Sequence, residues 1–199
     1  MKIYSKIDKG VVRQSNQDAF LAGEISPTVS FAVVCDGMGG ANAGNIASET
    51  AIKCISEYLL KSYRENMTND DIEKLINNAI ISANIEVFEK ASKNEELKGM
   101  GTTAVVAVIN NGIGIIANVG DSRIYLVNGN LTQLTTDHSV VQSLLESGKI
   151  SVQDARVHPE KNVITRALGA ESNVVADSSQ LALQQDDTLL LCTDGLTNF

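Results

Sequence analysis

The stretch FAVVCDGMGG, residues 31–40, combines an apolar strand with a charged, glycine-rich end. Five apolar residues, typical of a strand buried on both faces, run directly into Asp36 and a group of glycines. The segment LLLCTDG, residues 189–195, repeats the pattern and leads into Asp194. An ionised carboxylate at the end of a buried strand is costly unless a positive group pairs with it. Because no Lys or Arg lies beside either aspartate, we expect them to share a bound cation.

The surroundings of these two aspartates favour a particular kind of cation. Oxygen ligands, with no His or Cys at ligand spacing, favour a hard ion such as Mg²⁺ or Mn²⁺. The alternative is that each Asp-Gly is a simple turn dipeptide. Its repetition after two apolar strands favours the metal site, and a glycine lets a backbone carbonyl approach an ion closely.

Size, composition and charge limit the class of protein. The chain has 199 residues, is 43% hydrophobic and can bury a full-sized core, so we expect a single domain over residues 1–199. No apolar run approaches the roughly 18 residues of a membrane span, and the N-terminal residues lack the apolar stretch of a signal peptide. We therefore expect a cytoplasmic protein without membrane insertion. A net charge of −8 argues against a nucleic-acid surface. The odd cysteine count and the apolar runs around Cys35 and Cys192 predict reduced thiols.

Hydrophobic periodicity predicts an α+β arrangement rather than alternating strand and helix units. Two amphipathic helices are predicted, followed by an antiparallel meander whose Asn-Gly turns tolerate positive φ. A short helix and an irregular stretch to about residue 173 come next. The predicted strands are 2–7, 18–24, 29–35, those of the meander, 174–183 and 187–192; the predicted helices are 45–60, 70–91 and 138–147; the turns are 111–112 and 128–129.

Two further acidic turns are candidates for the same site. The turn NVGDSR places Asp121 after an apolar strand, and RQSNQDAF places Arg13 five residues before Asp18. Arginine beside carboxylates suits a phosphate held near metal ions, because a guanidinium matches phosphate oxygens bidentately. The alternatives are a solvated Asp121–Arg123 ion pair and an exposed Arg13.

Six ordered motifs carry a family resemblance: VVCDGMGG, GTTAVV, ANVGDSRIYL, DHSVVQ, HPEKNVITRALG and LLLCTDGLTN. Their order and spacing resemble those of the protein phosphatase 2C family, the metal-dependent protein serine/threonine phosphatases, in its compact bacterial branch. The resemblance covers essentially the whole chain. It implies a four-layer α-β-β-α sandwich with two antiparallel sheets and a metal centre at one edge between them.

The resemblance also implies residue roles. Asp36 would bridge two metal ions, the Gly37 carbonyl would bind one, and Asp194 would bind the other. Asp18 would act mainly through bound water, Arg13 would hold the substrate phosphate, and Asp121 with Asp194 would match a third, weaker metal position. Residues 142–165 correspond to a flap beside the site, suited to substrate discrimination.

The activity implied is hydrolysis of phosphoserine and phosphothreonine in proteins by a metal-bound hydroxide. The cofactors would be Mn²⁺ or Mg²⁺, two per site with a possible third, and such a pair lowers the pKa of a shared water. The partners implied are phosphoproteins, including a serine/threonine kinase and its targets, acted on by a monomer in a signalling role.

The sequence departs from the family pattern at three kinds of position. Met38 stands where some relatives place a histidine proposed to protonate the leaving group, and neither His138 nor His158 is nominated as its replacement. Gln17 stands where many relatives have glutamate. The family's last helix and strand, with one aspartate ligand, do not follow Phe199, so we expect a C-terminally truncated domain whose metal binding and turnover are impaired.

Two other functions compete with the hydrolase. A non-catalytic interaction module with the same fold would follow from the loss of the last ligand. A nucleotide-binding protein using GMGGANAGN, residues 37–45, would need Lys-Ser or Lys-Thr after the glycines, and the chain has neither there. Related phosphatases that regulate sigma-factor antagonists share the fold, but the continuous segment from Arg13 to Asp18 and the long flap favour the protein phosphatase 2C branch.

Overall fold

The computed structural model of the chain describes residues 1–11, 15–40 and 43–197. The strands are β1 (Asp18–Ser26), β2 (Val29–Met38), β3 (Gly101–Thr102), β4 (Ala104–Asn110), β5 (Ile113–Val119), β6 (Arg123–Val127), β7 (Leu131–Gln133), β8 (Asp177–Ala182) and β9 (Thr188–Cys192). The α-helices are α1 (Ala43–Ser62), α2 (Asn69–Lys93), α3 (Val140–Glu146) and α4 (Val152–Val157), and short 3₁₀ turns lie at Glu95–Leu97 and Asp194–Leu196. A search of these residues finds no helix with the length and apolarity needed to cross a bilayer.

The strands form two antiparallel sheets. The larger sheet has the order β1-β2-β4-β5-β8, with β3 extending the pairing of β2 near its end. The smaller sheet has the order β7-β6-β9. The α+β class with two antiparallel sheets is therefore confirmed. The predicted meander is also antiparallel, but the chain passes from the larger sheet to the smaller one between β5 and β6.

The turn between β4 and β5 is a two-residue hairpin built as predicted. Asn111 and Gly112 have φ of 48° and 80°, the positive values that suit the twist of a tight hairpin. The register from Asn110–Ile113 to Ala104–Val119 is continuous. The hairpin therefore fixes where β5 ends and where the turn containing Asp121 begins.

The helices α1 and α2 cover one face of the larger sheet. They pack against each other, α1 lies on β1 and β2, and α2 lies on β4, β5 and β8. The helix α2 begins with a capping box in which Thr68 and Asp71 satisfy each other's backbone N–H groups. Apolar side chains from both helices and the sheet form the main core, whose largest fully buried members include Ile55, Leu59, Ile72, Ile76, Ile80 and Ile115.

A second, smaller core joins the two sheets. Its buried members are Val105, Ala107 and Ile116 from the larger sheet and Ile124 from the smaller one. Leu189 and Leu191 of β9 are partly buried against it. This thin apolar layer sets how the end of β9 lies relative to the end of β2.

The structure departs from the predicted elements in two places. The strand predicted at 2–7 is wrong, because residues 1–9 have no regular secondary structure and are exposed. The β-like pattern is there, but no described strand pairs with it. The stretch predicted as irregular contains α4, which is too short for its periodicity to show; its signal is the capping box of Ser151 and Asp154.

Candidate metal centre

Asp36 and Asp18 face each other across two neighbouring strands. The register of β1 and β2 pairs Asp18 with Asp36 directly. The side chains of β2 alternate between buried and half-buried, and Asp36 belongs to the half-buried set that includes Val34 and Met38. The apolar strand therefore ends with a carboxyl group at the rim of the sheet and not within the main core.

Asp194 reaches the same place from the smaller sheet. It follows β9 and begins a 3₁₀ turn that is preceded by Thr193. Asp194 and Asp36 line the same cavity, and the carboxylate of Asp194 is close enough to raise the pKa of Asp36. The Thr193 hydroxyl donates to Asp18 Oδ2 at 3.0 Å. The two Asp-Gly segments that the sequence singled out thus meet, as expected, between the two sheets.

Asp121 lies in the turn between the sheets and completes the acidic group. The preceding Gly120 has a φ of 102°, and a Cβ there would lie 2.6 Å from Thr103 Cγ2, so the turn requires glycine. Asp121 interacts electrostatically with both Asp36 and Asp194. Four carboxylates therefore share one region, and they come from β1, β2, the turn between β5 and β6, and the segment after β9.

A cavity of about 540 Å³ opens at this acidic edge. Its lining combines three of the predicted acidic residues with backbone of the glycine turn and with residues of the predicted flap. The lining residues are Ser15, Gln17, Asp36, Gly37, Met38, Gly39, Thr103, Asp121, Asn162, Ile164 and Asp194.

The negatively charged carboxylates in this cavity repel one another. Burial, followed by the carboxylates of Asp18 and Asp194, raises the pKa of Asp36 to about 8, and Asp121 adds to this. Burial and the neighbouring Asp194 and Asp137 raise the pKa of Asp121 to about 6. The protein alone thus disfavours the fully ionised state, and a divalent cation would offset this repulsion.

The donor set fits a hard divalent cation held partly by water. In residues 1–11, 15–40 and 43–197, no group of three or more His, Cys, Asp or Glu side chains could hold a metal ion as arranged. Mg²⁺ is commonly bound by one or two protein carboxylates and keeps several waters. The neighbouring carboxylates of Asp36 and Asp194, in a cavity with room for water, meet this lower requirement.

Gly37 has a packing reason to be glycine. Its N–H donates to Gln17 O at 3.0 Å, and a Cβ at this position would overlap the backbone carbonyl of Gly44 in α1. The glycine therefore lets β2, the segment before β1 and the start of α1 approach closely. Its carbonyl as a metal ligand stays a prediction.

The sequence suggested roles for two arginines, Arg123 and Arg13, and the structure describes only the first. The alternative of an Asp121–Arg123 ion pair is wrong, because Arg123 forms a bidentate pair with Asp137, with Nε–Oδ1 and Nη2–Oδ2 distances of 2.9 and 2.7 Å. Arg123 is the first residue of β6, and its guanidinium group binds the carboxylate of Asp137 instead of that of Asp121. Arg13, the predicted phosphate ligand, lies outside the described residues.

The two histidines make contacts suited to structural roles. His138 is buried, and its Nδ1 accepts a hydrogen bond from Gly120 N–H at 3.0 Å. Its Nε2 lies 3.1 Å from Asp177 Oδ2 and 3.0 Å from Arg166 Nη1. His158 accepts from the backbone N–H of Glu160. Neither histidine lines the cavity.

Several residues at the site were not given roles from the sequence. Thr103 lines the cavity and contacts Asp36 and Ser122 by hydrogen bonds. Thr193 anchors Asp18, and Asn162 and Ile164 bring the predicted flap to the cavity. The motif GTTAVV was visible, but only the register of β2 and β4 shows that its second threonine lies opposite Asp36.

Comparison with known proteins gives the family. A family model described as protein phosphatase 2C matches residues 11–199. The chain belongs to the protein phosphatase 2C family. The serine/threonine phosphatase stp of Listeria welshimeri is 43% identical over 194 residues, which cover 97% of this chain and 77% of that protein.

Solved structures of protein phosphatase 2C proteins share the fold. The crystal structure of the serine/threonine phosphatase Stp1 from Staphylococcus aureus superposes with a TM-score of 0.89 at 35% identity, over 96% of this chain and 75% of that one. The catalytic domain of the phosphatase PstP, solved in complex with two manganese ions, gives 0.79 at 29% identity, over 96% and 76%. These relatives confirm the prediction of a serine/threonine protein phosphatase and do not support the non-catalytic alternative.

Proposed function

We propose that this chain hydrolyses phosphoserine and phosphothreonine in proteins at the cavity between the two sheets, with Mn²⁺ or Mg²⁺ as cofactor. The observation that carries the proposal is the meeting of Asp36, at the end of β2, with Asp194, at the end of β9. Membership of the protein phosphatase 2C family and a solved relative containing two manganese ions support the choice of divalent cations.

The acidic residues would have different roles in binding the cations. Asp36 and Asp194 would hold a pair between them, with the Gly37 carbonyl as a further ligand. Asp18, fixed by the Thr193 hydroxyl, would orient water at the rim, and Asp121 with Asp194 would hold a third, weaker ion. When bound, two such cations supply an activated water at neutral pH and offset charge on the phosphoryl group.

The remaining residues would orient the substrate. Arg13 would bind the phosphate through its guanidinium group, as the resemblance implies. Asn162 and Ile164 border the cavity, and Ile164 pairs with Ser139 in an isolated antiparallel bridge that anchors the flap at 142–165. This segment would discriminate between phosphoproteins. Met38 lines the cavity but carries no proton to donate, so leaving-group protonation would fall to water.

The substrates proposed are phosphoproteins, and the bacterial resemblance suggests a serine/threonine kinase and its targets. In this role the enzyme would act in the cytoplasm as one domain and reverse the kinase reaction in signalling. A phosphopeptide array drawn from candidate kinases would test the substrate class once activity is measured.

The decisive experiment replaces single carboxylates. Asp36→Asn and Asp194→Asn should each abolish hydrolysis of a phosphopeptide with added Mn²⁺ and remove the rise in unfolding temperature caused by Mn²⁺. The matched control is Asp71→Asn, because Asp71 is an aspartate of the α2 capping box outside the cavity lining. Full activity of both site variants would refute the proposed centre.

A further inference from the structure

We propose that Thr103 is a positioning residue that fixes the Asp36 strand end against the Asp121 turn, so that the cation affinity of the cavity depends on the Thr103 hydroxyl. The inference rests on the proposed function, in which Asp36 and Asp121 hold divalent cations. Thr103 is 3% exposed and is not itself assigned as a ligand.

Thr103 lies opposite Asp36 in the larger sheet. The pairs Val34–Val105 and Gly37–Thr102 place these two residues across from each other. The Asp36 N–H donates to Thr103 Oγ1 at 2.9 Å, and the Thr103 N–H donates to Asp36 O at 2.9 Å. The side-chain hydroxyl thus takes the place of a ladder carbonyl. The Thr103 side chain therefore holds the Asp36 N–H, whereas Asp36 O accepts from the Thr103 N–H and from the Thr102 hydroxyl.

The same side chain contacts the Asp121 turn on both sides. Thr103 Oγ1 lies 2.7 Å from Ser122 Oγ, and Ser122 is 1% exposed. The Thr103 methyl group packs against Gly120, which has no room for a Cβ on that side. Residues 120 and 122 flank Asp121 directly. Thr103 therefore links the two acidic segments through a buried hydroxyl pair and a close methyl contact.

This linkage matters because the two segments belong to different parts of the fold. Asp36 ends a strand of the larger sheet, whereas Asp121 lies in the crossing to the smaller sheet. Removing the hydroxyl would leave the Asp36 N–H without its acceptor and would separate Ser122 from its partner. Loss of groups that orient ligands commonly weakens metal affinity or activity about 10- to 100-fold.

The test compares three threonine variants. Thr103→Val keeps the shape and removes the hydroxyl, whereas Thr103→Ser keeps the hydroxyl. Thr135→Val is the matched control, because Thr135 Oγ1 likewise accepts from a buried backbone N–H, that of Ile124 at 3.1 Å, but does not line the cavity. Free Mn²⁺ is followed by electron paramagnetic resonance, and phosphopeptide hydrolysis gives kcat and KM.

We expect Thr103→Val to weaken Mn²⁺ binding by about tenfold or more and to lower kcat with little change in KM. Thr103→Ser should restore Mn²⁺ affinity to within a few fold of the wild type, and Thr135→Val should leave it unchanged. If Thr103→Val does not fold, Ser122→Ala replaces it, since this variant keeps both Thr103–Asp36 hydrogen bonds and removes only the hydroxyl pair. Ser122→Ala should then weaken Mn²⁺ binding in the same direction.

Two negative results have separate meanings. Equal Mn²⁺ affinity and kcat in Thr103→Val and Thr135→Val would overturn the positioning role of Thr103 while leaving the metal centre in place. If Thr103→Val is unfolded, unchanged Mn²⁺ affinity in Ser122→Ala would overturn the positioning role instead. Full Mn²⁺-dependent activity in Asp36→Asn would overturn the proposed function itself.

Discussion

The Thr193 hydroxyl donates a 3.0 Å hydrogen bond to the carboxylate of Asp18, and this bond joins the residue before Asp194 to the first residue of β1. Thr193 precedes the short 3₁₀ turn, but its side chain makes no capping hydrogen bond there. The hydroxyl is thus used to connect two acidic segments that are far apart in the sequence.

Replacing Thr193 by valine should weaken the cation site. The change removes one hydrogen-bond donor to Asp18 without altering the side-chain shape, so we expect the half-saturating Mn²⁺ concentration to rise about tenfold. Thr193→Ser should behave like the wild type. The control is Thr197→Val, because the buried Thr197 hydroxyl makes no hydrogen bond to the described residues. A wild-type Mn²⁺ response in Thr193→Val would contradict the prediction.

The metal-free protein should lose stability as the pH rises. The unfolded chain releases aspartate protons near pH 4, whereas burial and neighbouring carboxylates raise the pKa of Asp121 to about 6 and of Asp36 to about 8. Between these values the folded state binds more protons than the unfolded state, so deprotonation favours unfolding. In EDTA, the stability of Asp36→Asn relative to the wild type should increase from about pH 4 to about pH 8.

Urea unfolding at several pH values measures this effect, and Asp71→Asn provides a control of opposite sign. Hydrogen bonds from Thr68 lower the pKa of Asp71, so its contribution to stability is present above about pH 4 and is lost as the pH falls. Excess Mn²⁺ should flatten the wild-type profile. A difference between Asp36→Asn and the wild type that does not vary with pH would show that Asp36 is not buried among like charges.

A methyl group should be far more harmful at Gly37 than at Gly40. A Cβ at Gly37 would overlap the Gly44 carbonyl and lie 2.8 Å from Gln17 O, whereas one at Gly40 meets no atom of the described residues within 4 Å. We expect Gly37→Ala to lower the unfolding temperature and to abolish Mn²⁺ binding, and Gly40→Ala to change neither. Calorimetry with and without Mn²⁺ distinguishes these outcomes, and equal behaviour of the two variants would argue against the close packing at Gly37.

The ion pair of Arg123 and Asp137 should matter for stability when only one partner is removed. The Arg123 and Asp137 side chains are 27% and 10% exposed. Asp137→Asn leaves a half-buried guanidinium group without its bidentate partner and should cost about 2 kcal/mol in the free energy of urea unfolding. The double variant Arg123→Met with Asp137→Leu should recover most of this loss. A double variant less stable than Asp137→Asn would contradict this account.

The sequence predicted the local elements well wherever the pattern was long. The α1 and α2 segments were recognisable because their apolar residues recur over four or more turns, and β2 because its apolar run ends in Asp36. The strand predicted at 2–7 failed because a strand needs a neighbour, and pairing is a property of the whole chain. The helix α4, at six residues, was too short for its period to be detected.

The sequence predicted the charged residues of the site but not the residues that hold them in position. Asp36 and Asp194 stood out because a carboxylate after a buried strand violates the usual pattern. Thr103 and Thr193 carried no such signal, because threonine is common in strands and turns and its hydroxyl partners lie 67 and 175 residues away along the chain. The partner of Arg123 was likewise hidden, since Asp137 lies 14 residues further along the chain and is brought beside Arg123 by the fold.

The thin apolar layer between the sheets also has a mechanical consequence. Val105, Ala107, Ile116 and Ile124 determine how far apart the rims of the two sheets stand, and one carboxylate of the central pair comes from each rim. Thickening this layer, as with Ala107→Val, should spread the pair and weaken its hold on a divalent ion without touching any charged group. The affinity of this protein for divalent ions would then depend on the spacing between its two sheets.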